Sequence, residues 1–340
     1  MSKKVIIGLI ILLVIGVGGY FLIGKMLWSP NVKSSGNKTV VYIPTNASLE
    51  DVMDSLNAAD VLKDMSSFRT VAKLKSFNKA KPGRYEFDEG MSNTKIINKL
   101  RSGDQDAEQV VINNIRLLSD LAGKASDYFE SDSLAFLNYL TNPEVAAKFG
   151  FTQDNFLSMF IPNTYEMFWT ATPEKFAERM QKEYDTFWTE DRIAKIAKNN
   201  LNKTEAYTLA SIVEKESNYD PERATIAGVY LNRLKAGEKL QADPTVVFAT
   251  GDFSLQRVLY SHLKTESPYN TYMNHGLPPG PICMPSLASL EAVINAEDHK
   301  YMFFCAKADN SGIHAFAESY ADHLKNADAF AAWMNSLNIK

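Results

Sequence analysis

The sequence predicts an α+β protein in three parts: a single N-terminal transmembrane helix, a small α+β module, and a larger, mostly helical domain with irregular Pro-rich loops and a few strands. Three observations carry this reading. Val5 to Gly24 holds twenty consecutive positions without a charge. Between Thr39 and Gly103, two short strand-like runs alternate with three segments of helical spacing. Beyond Ile115 helical spacing prevails until prolines and glycines interrupt it after Ala236. The chain has 340 residues, enough for about two domains at roughly 150 residues each.

The apolar run of residues 5–24 would span about 30 Å as a helix, the thickness of a bilayer core. Lys3 and Lys4 precede it and Lys25 follows. The positive-inside rule then leaves the N-terminus in the cytoplasm and the rest outside. A cleaved signal peptide is the rival reading, but the run is longer than the usual apolar region and no Ala-x-Ala site follows it. Tyr20 and Trp28 suit the membrane interface. Residues 1–28 therefore read as cytoplasmic tip and anchor, and the polar residues 29–38 as a linker.

A small module is expected over residues 39–107. Thr39–Ile43 reads as a strand. Ser48, with Asp51 three residues later, opens a helix to about Ala59. Ser66–Lys75 is a second helix, Arg84–Phe87 a second strand after the Pro82-Gly83 break, and Ser92–Leu100 a third helix stopped near Gly103. Residues 108–340 form the larger domain. A strand is expected at Gln109–Ile112, then helices at Phe136–Leu140, Pro143–Phe149, Pro173–Trp188 and through Arg192–Ala236. A strand at Tyr301–Ala306 and a helix from Tyr320 to Leu337 close the chain.

Composition narrows the function. Lys and Arg total 36 against 40 Asp and Glu, so no basic excess supports nucleic-acid binding. Two cysteines, Cys283 and Cys305, exclude a disulfide scaffold and a zinc ribbon. The five histidines show no metal-ligand spacing. No GxSxG serine or phosphate loop occurs, and no metal or cofactor is expected.

One carboxylate stands out. In Thr204–Ser217, with Thr204 as cap, Leu209, Ile212 and Val213 define an apolar face. Glu216 follows Leu209 by seven and Ile212 by four, so it shares that face, while Glu214 and Lys215 point elsewhere. A carboxyl directed at the interior or at a cleft keeps its proton to higher pH, as a general acid for glycosidic cleavage must. Ser217 is placed to orient it. The plainer alternative is a helix-end glutamate paired with Arg223 or Lys215. Glu205 reads as a first-turn charge suited to the helix dipole.

Further polar groups cluster after the helix that Gly237 ends. Asn232 lies on that helix, and Gln241 and Asp243 follow it. Asp243 precedes a proline and is expected in extended geometry, with a cap of the next helix as the alternative. Ser267–Ser286 contains five prolines and two glycines, so it is neither helix nor central strand. Its Tyr269, Asn270 and Tyr272 offer aromatic faces and amide groups suited to sugar rings, with simple packing over the core as the alternative.

These residues resemble a known family. LASIVEKES (Leu209–Ser217), NRL (Asn232–Leu234), LQADPTV (Leu240–Val246), YNTY (Tyr269–Tyr272), GLPPGPI (Gly276–Ile282) and HAF (His314–Phe316) occur in the order found in YceG-like endolytic murein transglycosylases. PNTY (Pro162–Tyr165) and GRYEF (Gly83–Phe87) are similar to further motifs of the family. The resemblance implies a LysM-like membrane-proximal module and a catalytic domain on a single-pass inner-membrane protein facing the periplasm or exterior. It implies cleavage of nascent peptidoglycan between N-acetylmuramic acid and N-acetylglucosamine, leaving a 1,6-anhydro end. The second glutamate of the family's EKE motif falls on Glu216. Ser217, Asn232, Gln241, Asp243, Tyr165, Tyr269, Asn270, Tyr272 and His314 are the expected substrate-binding residues. Wall synthases and division proteins are the partners implied.

Asn163 stands where the family often has Asp, Asn113–Arg116 replaces an EGMR-like segment, and Gly312-Ile313 replaces a Gly-Gly pair. None of these touches Glu216. Other readings stay open at this stage: an idle glycan-binding scaffold, a hydrolase using Asp243 as second carboxylate, and a cytosolic aminodeoxychorismate lyase, against which the anchor argues.

Overall fold

The computed structural model describes residues 2–34, 36–255, 257–309 and 311–336. Two compact units emerge. The first comprises residues 1–110, 128–131 and 165–172, and the second residues 111–127, 132–164 and 173–340. The two short later segments that join the first unit were expected in the larger domain.

In the first unit α1 (Lys3–Trp28) carries the apolar run. It is long and apolar enough to cross a membrane. It continues past Gly24, and Met26 and Leu27 pack against the core of the small module. That module runs β1 (Thr39–Ile43), α2 (Leu49–Ala58), α3 (Met65–Leu74), β2 (Gly83–Phe87), α4 (Asn93–Ser102), in the expected order. β1 and β2 pair antiparallel, with Thr39 opposite Phe87. Ser48 and Asp51 form the reciprocal cap of α2, each satisfying the other's orphan N–H. Gly103 ends α4 in the left-handed region at φ 75°, which a residue without Cβ adopts at little cost. Val41, Ile43, Val52, Leu56, Phe68, Tyr85, Phe87 and Ile97 form the buried core.

The expected linker starts later than its composition suggests. Asn31 and Val32 are buried, and both donate their N–H groups to the Met91 carbonyl. The Asn31 side chain also bonds Asn93 and the Asp64 backbone. A polar residue with its amide satisfied on both sides is structural, which composition alone does not reveal. Ser35, in the same stretch, lies outside the described residues.

β3 (Glu108–Ile112) pairs with β4 (Asn163–Met167). The aromatic segment around Pro162 thus contains a strand that periodicity does not show. α5 (Leu118–Ser126), α6 (Ser133–Leu140), α7 (Pro143–Lys148), α8 (Pro173–Phe187) and α9 (Glu190–Ala197) lead to α10 (Lys203–Glu216). α11 (Arg223–Ala236), α12 (Asp243–Thr250), α13 (Leu287–Ile294), β5 (Phe303–Ala306), β6 (His314–Ala317) and α14 (Tyr320–Ser336) complete the chain. β5 and β6 pair antiparallel, with Ala306 opposite His314. The expected last residue of the closing helix, Leu337, lies outside the described residues.

α10 is the central element, in contact with α9, α11, α12 and α13. Every residue from Ala206 to Val213 is buried, so the helix has no solvent face there. Each large apolar side chain contributes about 1.5–3 kcal/mol by burial. The polar ones are satisfied: Tyr207 donates to the Phe160 carbonyl, and Ser211 donates to Thr208 O while accepting from Ile282 N–H. The cap is Asn202, two residues earlier than Thr204, in a reciprocal pair with Glu205. Glu205 is therefore structural, as expected.

Candidate active site

α10 ends at Glu216, at the mouth of a cleft. The side chain is mostly buried, and the Tyr230 hydroxyl from α11 donates to its Oε1. Burial pushes the carboxyl up to about 7. The Tyr230 bond opposes this by favouring the ionised form, and the nearby charge of Asp243 adds to it. The result is an acid that is about half protonated at neutral pH. Glu216 does not pair with Arg223 or Lys215.

Arg223 is used elsewhere. It holds Glu214 at 3.3 Å, Asp220 at 3.1 Å and the Ser286 hydroxyl at 2.8 Å. Glu214 also accepts from Ser286 N–H, Ser286 Oγ and Ser289 Oγ. Burial raises its pKa, but these donors outweigh it and leave the carboxyl below the usual range. The two glutamates two positions apart thus take opposite roles, one fixed as an anion in a structural clamp and one kept protonatable in the cleft.

The cleft has two lobes that meet at Glu216 and Asp243. One, about 480 Å³, is lined by Arg116, Phe248, Phe253 and Arg257. The other, about 340 Å³, is lined by Tyr230, Gln241, Tyr272, Phe304 and His314. Asp243 is not in extended geometry, and the helix expected from Pro244 starts one residue earlier, at Asp243 itself. It opens α12, with Ala242 as the extended cap residue and Pro244 in the first turn, where a missing N–H is harmless. Its carboxylate is exposed and accepts from the Tyr272 hydroxyl at 2.6 Å. Gln241 has φ 53°, a strained value for a residue with a Cβ. Its Oε1 accepts from Arg233, whose guanidinium also holds the Lys239 and Met302 carbonyls. The strained turn and its arginine strap thereby fix the approach to Asp243.

Other expected site residues have different uses. Ser217 does not orient Glu216, because its hydroxyl donates to Glu222 at 2.5 Å. Asn232 is tied to the carbonyls of His299 and Tyr301, at 2.7 and 3.0 Å, and lines neither lobe. Asn270 is wholly buried and bonds the carbonyls of Leu263 and Thr265 and the N–H of Tyr272. It shapes the loop that presents Tyr272, and no atom of it is open to a substrate. Tyr165 is 2% exposed and belongs to the first unit. Tyr269 packs at a tilt against Phe248, with ring centres 4.6 Å apart; Phe248 lines the larger lobe and Tyr269 does not. Burial pushes its phenol up to about 12.

Two functional residues escaped the sequence reading. Tyr230 lies on an apolar helix face and carries no polar signal in its pattern. Glu222 is buried and accepts from Ser217 Oγ, His314 N–H and His314 Nδ1, the last two at 2.9 Å. Burial works against its charge, but these bonds leave its carboxyl below the ordinary range. An ionised carboxylate only accepts, so His314 Nδ1 carries the hydrogen. This clamp joins the residue after Glu216 to β6 and places His314 on the wall of the smaller lobe. Glu222 follows Asp220-Pro221, where it reads as a turn residue. Cys283 and Cys305 are both free. Among the described residues no group of side chains could hold a metal ion.

Comparison with known proteins agrees with this architecture. The sequence is 30% identical to the endolytic murein transglycosylase of Bacillus subtilis, over 94% of this chain and 92% of that protein. It is 27% identical to the endolytic murein transglycosylase of Streptococcus pneumoniae D39, and the match spans 63% of that longer protein. A crystal structure of a YceG-like protein from Listeria monocytogenes superposes with a TM-score of 0.58 at 29% identity, covering 86% of this chain and 99% of that one. The characteristic profile of the YceG-like family matches residues 41–329, and the chain belongs to that family.

Proposed function

We propose that the chain is a membrane-anchored endolytic lytic transglycosylase of peptidoglycan. The observation that carries this is Glu216, a carboxyl titrating at about 7 where the two lobes of an open cleft meet. A glycan strand passing through both lobes puts an internal glycosidic bond beside the acid. Glu216 donates its proton to the oxygen bridging muramoyl C1 and the next sugar, and that C–O bond breaks. The muramoyl C6 hydroxyl attacks C1 to form the 1,6-anhydro ring, and its proton returns to Glu216. No water is consumed, and one carboxyl serves in both directions. Tyr230 stabilises the carboxylate between the two transfers. Asp243 keeps the acid protonated by its charge, and the muramoyl N-acetyl group assists at C1.

The strand–helix–helix–strand order of residues 39–107 supports a LysM-like, glycan-holding module. Residues 108–340 form the catalytic domain. Lys3 and Lys4 ahead of α1 support a cytoplasmic N-terminus with the remainder periplasmic or extracytoplasmic. The partners consistent with that place are wall synthases and division proteins.

The test is digestion of purified peptidoglycan by the full-length protein in detergent beside Glu216→Gln, with products read by mass spectrometry. Anhydro-muramic ends from the unsubstituted protein alone are expected. Reducing ends would refute the lyase and indicate water activated at Asp243. Glycan binding without cleavage would assign the chain to a scaffold.

A further inference from the structure

The larger lobe carries a charge pattern that a plain glycan does not need. The chain has nine arginines. Arg69, Arg84, Arg179, Arg192 and Arg223 each hold a carboxylate. Arg101 and Arg233 hold backbone carbonyls. Arg116 and Arg257 have no acceptor among the described residues, and both line the same lobe, beside Glu216. The Arg116 guanidinium carbon sits 4.1 Å from the centre of the Phe253 ring, a cation–π contact that holds the group in place without using its N–H donors. Lys215, also without a carboxylate partner, adds a third cation to the rim. The acids of this lobe are already engaged: Asp243 accepts from Tyr272, and Glu216 accepts from Tyr230. Phe248, Leu255 and Val258 supply an apolar wall between the cations.

N-acetylglucosamine and the sugar backbone are uncharged. The anionic groups of peptidoglycan sit on the muramoyl 3-O-lactyl substituent, either as the lactyl carboxylate of a stripped sugar or as the free carboxylates of a stem peptide. The lobe measures about 480 Å³, within the size range of sites for ligands of many atoms, and much larger than one carboxylate. Two guanidiniums and an ammonium around apolar side chains suit a short peptide with several carboxylates. We infer that this lobe binds the stem peptide of the muramoyl residue at the cleavage site, with Arg116 and Arg257 on its carboxylates. The enzyme would then select strands whose peptides are still attached. This deepens the transglycosylase reading and rests on it for the register of the strand.

Binding tests the inference without requiring turnover. Full-length Glu216→Gln protein is titrated with soluble glycan strands in three forms: peptide-bearing, stripped by an amidase, and peptide-bearing with the carboxylates converted to amides. Peptide-bearing strands are expected to bind at least about tenfold more tightly than the other two, and adding Arg116→Gln or Arg257→Gln should collapse that ratio toward one. Adding Arg116→Lys, which keeps the charge, should restore part of it, whereas a merely structural role would weaken all three strands alike. Equal binding of the three strands would overturn the inference. Tighter binding of stripped strands would assign the arginines to the lactyl carboxylate and also overturn it. Failure of the transglycosylase reading is separate, because it appears as the absence of anhydro ends with the unsubstituted protein.

Discussion

Tyr230→Phe tests the reasoning about the acid most directly. The ring packs edge-on against Phe304, with centres 5.8 Å apart, and phenylalanine preserves that contact. Only the hydroxyl that donates to Glu216 is lost. A hydrogen bond to a charged group is worth about 1.5–3 kcal/mol, and one pKa unit corresponds to about 1.4 kcal/mol. Removing the bond that favours the carboxylate should therefore raise Glu216 from about 7 by about one to two units. The assay is kcat/KM for strand cleavage by the full-length protein between pH 5 and 10, where the alkaline limb reports the acid in the free enzyme. That limb is expected to move upward by the same one to two units. The plateau should fall, because the carboxylate formed after C–O cleavage has lost its donor. An alkaline limb that stays near 7, or moves to lower pH, would refute the account of how this acid is held.

Asp243→Asn should shift the same limb the opposite way, by up to about one unit, because the charge that raises Glu216 is gone; a pH titration of kcat/KM checks it. Glu216→Gln should stabilise the fold above neutrality. The folded pKa of about 7 exceeds the ordinary 4.5, so this group's contribution is complete below the lower value and is lost as pH rises through the higher one. The variant's advantage should therefore be near zero at pH 4 and reach at most about 3 kcal/mol at pH 8, read as a difference in denaturant midpoints. Gly280→Ala should destabilise by about 3 kcal/mol in the same measurement, since its Cβ would lie 2.0 Å from the Asp154 carbonyl oxygen, a backbone atom with little room to yield.

Much of the small module is legible from local signals. Reciprocal caps, a stop glycine and short alternating strands each act within a few residues, so a sequence window contains the cause. Glu216 is legible for a related reason. Helical periodicity places it in line with Leu209 and Ile212, and the structure keeps it on that side. The misreadings concern tertiary satisfaction. Asn232 and Asn270 look like binding residues because amides suit sugars, yet both are consumed by distant carbonyls. Ser217 adjoins Glu216 in sequence but turns to Glu222 once the chain leaves the helix. Tyr230 and Glu222 become visible only when α11 and β6 are in place, because their partners lie 14 and 92 residues away. The proline at 244 also misleads, since the same residue that biases its predecessor to extended backbone is welcome in the first turn of a helix.

The junction between α1 and the small module has a mechanical consequence. The Met26 carbonyl accepts from the Asn93 side chain, Pro30 bridges to Ser92, and Asn31 and Val32 hang on Met91. The helix is thus keyed to its load like a shaft to a wheel. One residue inserted between Gly24 and Met26 would turn the small module by about 100° relative to residues 5–24 and shift it by about 1.5 Å along the helix axis, where the same insertion in a slack tether would do almost nothing. If residues 5–24 cross a bilayer, as proposed above, a neighbouring helix that grips one side of the span would set the compass bearing of the small module at the membrane surface. The phase of the helix, read in residues, then becomes an angular coordinate for anything that must meet that module from the side.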